Sequence, residues 1–257
     1  MTTSLEPIQE LLAPHDMDVE LSSFAAFRKT FPLQGERLYA EVFRRNSDIV
    51  QTQKPKFAVA NLEKILTATF EVSSVSGFDR MSLRDLSRQT GMSMGAIYSC
   101  IGKKEDIALM VADIVRLSSD LTRQHAMQAR SNWAQIKESI RFHLYASTLL
   151  QPWYFFLFFE TRSLPEQQQQ ASKQIELDGI KGFEEHIMAG VKQGEFATND
   201  ARMIANTIVV LMEDWYLKPW KNRLTSDSDN DIARHEKQIS TYHQSIVDVV
   251  QKLLAKP

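Results

Sequence analysis

At 257 residues, 43% hydrophobic and 24% charged, the chain has the balance of a globular protein and is too apolar to stay disordered, with length for one large core or two modest ones. Its net charge of −2 excludes a molecule that holds nucleic acid by overall basicity, so any such contact must be local. One cysteine, Cys100, excludes a disulfide framework or a several-thiolate zinc site and fits a reducing cytoplasm.

Glycine and proline are sparse, and apolar residues recur at spacings of three and four, so the expectation is an all-α protein. Met1 to Pro14 lacks the regions of a secretory signal, and the longest apolar run, Trp153 to Phe159, is too short for a membrane span. Residues 1–53 carry short amphipathic pieces (Ile8, Leu11, Leu12; Phe24, Phe27, Phe31; Leu38, Val42, Phe43) broken by Pro14, Pro32 and Gly35, which predicts an appended helical segment whose phenylalanines need cover. Lys54-Pro-Lys56 marks the next boundary, because proline stops a preceding helix.

A helix is predicted from Phe57 to about Ser76, with Leu62, Ile65, Leu66, Thr69 and Phe70 on one face and Gly77 as its stop. Ser82 is a natural N-cap for a short helix to Thr90, with Asp85 as the capping-box acid and Gly91 ending it. Ser93 caps a third helix through Ile101, Gly102 breaks it, and Lys103 or Lys104 opens a long fourth. Helix, tight glycine-containing turn, helix is the order of a helix-turn-helix. Larger helices follow at Trp133 to Leu150, Tyr154 to Arg162, Glu166 to Lys192, Asp200 to Leu217 and His235 to Leu254, with a polar loop at Thr225 to Asp231. They predict a separate bundle over 117–257, after a helix-turn-helix domain at 54–116.

The segments Ile65-Leu-Thr-Ala-Thr-Phe70, Gly77-Phe78, Met81-Ser-Leu-Arg-Asp-Leu-Ser87, Gly91-Met-Ser-Met-Gly-Ala-Ile-Tyr98 and Lys104-Glu-Asp-Ile107 resemble the N-terminal domain of the TetR/AcrR family of transcriptional regulators. The resemblance implies a repressor whose third helix enters the major groove of a DNA operator, a ligand-binding sensor domain, and a homodimer built by the last two helices. Matched position by position, it places Ser82, Tyr98 and Lys104 on phosphates and Met94, Gly95 and Ser99 toward the groove. Where many members have lysine, an aromatic or histidine, and phenylalanine, this chain has Met94, Ser99-Cys100 and Ile101. The third helix thus carries no basic residue, and affinity must lean on Arg80, Arg84, Arg88, Lys103, Lys104 and the flanking Lys54 and Lys56. With Ser93 at its start, the expected DNA-facing set is Ser82, Arg84, Ser93, Met94, Gly95, Tyr98, Ser99, Lys103 and Lys104. Tyr98 can also be read as core, and Cys100 as a small apolar filler.

Gln151-Pro-Trp-Tyr-Phe-Phe-Leu-Phe-Phe-Glu-Thr-Arg-Ser-Leu-Pro165 has aromatics all round a helix, which must be buried on several sides or line a cavity. One reading is plain core. The other is an apolar effector pocket of Phe142, Tyr145, Trp153, Phe155, Phe158, Phe159, Arg162, Phe183, Met212 and Trp215. Phe-Phe-Glu-Thr-Arg-Ser-Leu is similar to the sensor domain of family members that answer to CoA thioesters, which implies an acyl-CoA or fatty acid as effector and no resident cofactor. Glu160 and Arg162 supply polar features or an ion pair. His143 and His186 have no ligand-spaced partners, so no metal site is expected. Apolar stripes on the last two helices, Ile204, Ile208, Leu211 and Trp215 with Ile239, Tyr242, Ile246, Val249, Val250 and Leu253, could bury a second copy. A helical enzyme or carrier using the aromatic cavity, or a helix-turn-helix protein acting through protein association, are the alternatives; no nucleophile elbow or phosphate-binding glycine loop is present.

Overall fold

The computed structural model describes residues 19–52, 54–164, 166–222 and 229–255, and all regular structure among them is helical. Ile8, Leu11, Leu12 and residues 225–228 of the expected loop lie outside the described residues. The chain divides into two units, one of Pro32–Arg116 and Pro152–Ser172, the other of Asp18–Phe31, Leu117–Gln151 and Lys173–Pro257. No helix among the described residues is long and apolar enough to cross a membrane.

In the first unit, α2 (Gly35–Arg45) packs on α3 (Pro55–Ser76), which begins with proline at a position that needs no N–H and ends at Gly77, φ +83°. α4 (Leu83–Thr90) opens with a complete capping box: Ser82 Oγ accepts the Asp85 N–H while the Asp85 carboxylate accepts the Ser82 N–H. It closes at Gly91, left-handed at φ +69°, a conformation an L side chain would strain. α5 (Met94–Tyr98) is capped by Ser93 Oγ on Ala96 N–H. It is shorter than expected, since Cys100 and Ile101 have left the helix to become core. α6 (Lys104–Ala126) starts here, its first turn satisfied by Asp106, whose Oδ2 accepts the N–H groups of Gly102 (3.0 Å) and Lys103 (2.9 Å). Leu62, Ile65, Leu66, Phe78, Leu86, Ile97 and Ile107 form the buried centre.

The aromatic stretch forms α8, Gln151–Phe155, which continues as a π turn over Phe156–Glu160 and a 3-10 turn over Thr161–Ser163. From Pro152 onward it belongs to the first unit, for a packing reason. The ring of Phe156 meets Phe78 at 4.7 Å and Phe70 at 5.6 Å, Trp153 meets Phe70 at 5.3 Å, and Glu160 Oε2 accepts the Phe78 N–H at 3.0 Å. The assignment of 117–257 to one sensor bundle therefore does not describe this segment.

In the second unit, α1 (Phe24–Thr30) packs Phe27 edge-on to Phe142 of α7 (Asn132–Leu149) at 5.1 Å, with Phe24 at 5.4 Å from Tyr145. The expected cover for Phe24, Phe27 and Phe31 is the helix-turn-helix domain or its partner; they are buried against Phe142 and Tyr145 of this unit instead, and 1–53 is not one appendage, since α1 joins this unit and α2 the other. The remaining helices are α9 (Glu166–Lys192), which the first unit shares as far as Ser172, α10 (Ala201–Leu217), α11 (Pro219–Asn222) and α12 (Asp229–Leu254). Glu195 caps α7 through the N–H groups of Asn132 and Trp133. Trp215 Nε1 donates to Thr148 Oγ1 at 2.9 Å, and Tyr242 Oη to the Leu211 carbonyl at 2.7 Å. Ile204, Ile208, Trp215, Ile239, Ile246 and Val250 are consumed by this interior. The apolar residues that α10 and α12 leave outside are Met203, Val210, Val249 and Leu253.

Candidate DNA-reading surface

α4 and α5 are joined by the Gly91 turn and pack against one another, and one side of α5 faces outward. On that face Gly95 and Tyr98 are exposed, Tyr98 to 47%, and Met94 is half-buried; Ile97 points inward and is fully buried. The core reading of Tyr98 thus falls away. An added Cβ at Gly95 would meet no atom nearer than Ser93 Oγ at 4.0 Å, so nothing inside the protein requires glycine there.

Lys54, Lys56, Arg80, Arg84, Arg88 and Lys103 have exposed side chains, and Arg80 and Arg88 line a cleft with Glu71, Val75 and Gln89 of α3 and α4. Arg88 is paired with Asp85, whose carboxyl is held below its ordinary value first by the Ser82 hydroxyl and then by the Ser82 N–H. Ser82 is exposed, with its hydroxyl donated to Asp85. Phe57, at the start of α3, is 62% exposed with the Lys54 ammonium 6.0 Å from its ring centre. Sequence reasoning missed it; the available signal was that Phe57 precedes the buried stripe of Ala58, Leu62, Ile65 and Leu66.

Two expected contacts have other partners. Lys104 is half-buried over the ring of Phe78, its Nζ donating to the carbonyls of Phe78 (3.1 Å) and Asp79 (2.9 Å). Its ammonium closes the turn after α3. Ser99 faces inward: its Oγ donates to the Ala96 carbonyl at 2.7 Å and accepts the Thr52 hydroxyl at 3.0 Å, and its carbonyl accepts the N–H groups of Gln51 and Thr52.

The ten expected effector residues fall in both units. Trp153, Phe155, Phe158, Phe159 and Arg162 belong to the first; Phe142, Tyr145, Phe183, Met212 and Trp215, all buried, belong to the second. Trp153 is buried core, whereas Phe155 and Phe159 stack at 4.8 Å on the more open side of α8, and the Arg162 guanidinium lies 4.0 Å from the Phe159 ring centre. Within the second unit a polar cleft of about 540 Å³ is lined by Tyr145, Arg141, Lys237, Ser240 and His243 among others. Of the expected residues, Tyr145 alone lines it. Glu213 on α10 has its carboxyl pushed up to about 7 by burial and then by the charge of Glu176, and burial pushes His143 on α7 down to about 4. Among the described residues no cluster of potential metal ligands occurs.

Helix, tight glycine turn and helix, with Gly95 and Tyr98 exposed on the second helix, is the arrangement of a helix-turn-helix. Residues 129–218 match the family described as Tetracyclin repressor-like, C-terminal domain. Solved structures share the fold. A TetR-family regulatory protein from Rhodococcus RHA1 is 19% identical, with a TM-score of 0.62 over 78% of this chain and 99% of its own. PfmR, a TetR-family regulator of Thermus thermophilus, is 17% identical, with a TM-score of 0.59 over 72% and 97%. FadR of Bacillus subtilis, solved with stearoyl-CoA, is 15% identical, with a TM-score of 0.58 over 75% and 99%. No curated protein matches. Residues 129–218 are thus similar to that C-terminal domain, and the chain shares the fold of these TetR-family structures.

Proposed function

We propose that the protein is a homodimeric repressor that sets two copies of α5 into successive major grooves of a roughly palindromic operator and leaves it when an apolar or amphipathic effector, an acyl-CoA or fatty acid, binds. The observation that carries the DNA part is the open α5 face, with Gly95 and Tyr98 exposed, together with the exposed cations Lys54, Lys56, Arg84 and Lys103 of the same unit. With no cation on α5 itself, base readout rests on Met94, backbone at Gly95 and apolar contacts such as thymine methyls, and affinity rests on phosphates. A mobility shift on the protein's own upstream DNA, repeated at several salt concentrations, tests this. Binding that fails to weaken with salt argues against the phosphate-anchored reading.

The effector part is supported by the partly open rings of Phe155, Phe158 and Phe159 beside Arg162, an apolar surface with one cation fitted to an acyl chain and an acidic head. An effector releases DNA only by binding one conformation better than the other. Stearoyl-CoA should therefore lower operator affinity, and no change across a panel of acyl-CoAs and fatty acids would refute the effector. For the dimer, Met203, Val210, Val249 and Leu253 offer the exposed apolar surface on α10 and α12. Val249→Asp should give folded monomers by light scattering. Ile246, only 2% exposed, is a core position and cannot serve as the probe.

A further inference from the structure

α5 has five residues, too few for a helix to persist on its own, so whatever holds its two ends decides how sharply it can read bases. Its start is held by Ser93. Its end is held from a distant part of the sequence, residues 51 and 52. The Ser99 carbonyl, left without a helical partner, accepts the N–H of Gln51 at 2.9 Å and of Thr52 at 3.1 Å, and the Thr52 hydroxyl donates to Ser99 Oγ at 3.0 Å. The segment doing this is anchored. Arg45 at the end of α2 pairs with both carboxylate oxygens of Asp113 on α6 (2.5 and 2.7 Å), the N–H groups of Ile49 and Val50 return to the Asn46 carbonyl, and Val50 is buried.

We infer that Thr52 is a positioning residue for DNA discrimination: the segment ahead of the helix-turn-helix clamps the end of α5 and fixes the angle at which its outer face meets base edges. The inference rests on α5 being the reading helix. Loose orientation leaves phosphate contacts nearly intact, because these act by charge and reach, but degrades contacts to base edges, which need fixed geometry. The clamp thus acts on the ratio of specific to non-specific affinity.

Thr52→Val keeps the shape and removes the hydroxyl; Thr52→Ser keeps the hydroxyl. The probes are a duplex selected by the wild type from random sequence and a scrambled duplex of equal length. Thr52→Val should lower the ratio of the two affinities by about five- to tenfold with scrambled binding unchanged, and Thr52→Ser should restore it. Independently of DNA, amide exchange at Ser99 to Ile101 should quicken by about tenfold in Thr52→Val relative to the α3 core at Leu62 and Ile65, again reversed by serine. A general loss of stability would quicken both regions together. Unchanged local exchange and an unchanged affinity ratio overturn the clamp. A wild type that selects no duplex overturns the DNA reading instead, while the exchange comparison still decides whether the clamp exists.

Discussion

The first unit holds two aromatic-bearing turns built on opposite logic. Around α5 the apolar residues Ile97, Cys100 and Ile101 are drawn fully inward, and a glycine and a tyrosine are left facing out. Along α8 and the π turn that follows it the aromatics are so dense that both sides must be used: Trp153 and Phe156 close the core against Phe70 and Phe78, and Phe155 and Phe159 remain partly open. A residue's role here follows from what it faces, more than from what it is. Phe156 and Phe159, both in the π turn after α8, should therefore respond to mutation in different experiments.

The largest effect is expected at Phe156. Removing a ring buried between Phe70 and Phe78 should cost about 3–5 kcal/mol in urea or thermal unfolding. Phe159→Ala, at a position 36% exposed, should cost less than about 1 kcal/mol and instead alter fatty-acid or acyl-CoA binding. Equal losses of stability at the two positions would erase the contrast.

The second unit extends the contrast to titration. Glu213 has its pKa raised to about 7, so its folded state favours the neutral acid; the stability this gives is complete below the ordinary carboxyl range and is lost as pH rises toward 7. His143, lowered to about 4, works in the other direction and removes stability as pH falls from about 6.5 toward 4. Glu213→Gln should make the protein more stable at pH 8 by about 1–2 kcal/mol, after allowance for the water that still reaches the carboxyl. The wild type and variant should converge near pH 4.5. Parallel stability curves across that range would show that the carboxyl is not buried as described.

Much of this architecture was legible in the sequence because caps and breakers act locally. Ser82 with Asp85, Gly91 and Ser93 bounded the short helices closely, whereas Gly102 did not mark the end of α5, and the three- and four-residue spacing of apolar residues found α3, α9 and α10. What could not be read was decided by contacts distant in sequence. Thr52 turns Ser99 inward, Phe78 and Asp79 engage Lys104, and Phe70 and Phe78 claim half of an aromatic stretch that looked like a pocket. The stripes on α10 and α12 gave the same difficulty, since a helix buried in its own subunit and one buried by a partner carry the same apolar pattern.

Lys103 and Lys104 sharpen the comparison at the scale of two neighbours. Lys104→Ala removes a charged donor from two carbonyls and should cost about 1 kcal/mol of stability, reduced from the value for a buried bond because the site is half-open. Lys103→Ala, at an exposed position, should leave stability within about 0.5 kcal/mol and lower the slope of affinity against salt by about one unit. Thermal unfolding and a salt titration on the same two variants separate the roles. A flattened slope from Lys104→Ala at unchanged stability would return that lysine to the phosphate-contacting set.

A single methyl on α5 makes the most diagnostic change. Gly95 lies in a helix, has no positive φ and has room for a Cβ, so packing gives no reason for glycine and helix propensity argues against it. Gly95→Ala should therefore stabilise the protein by about 0.5–1 kcal/mol. If α5 reads DNA as proposed, the same methyl would occupy the space through which backbone approaches the bases, so operator affinity should fall while thermal stability rises. A purely structural role for α5 gives no such opposition. If Gly95→Ala binds the selected duplex as tightly as the wild type while melting higher, the exposed backbone at this position does not touch DNA, and base readout must be sought at Met94 and Tyr98.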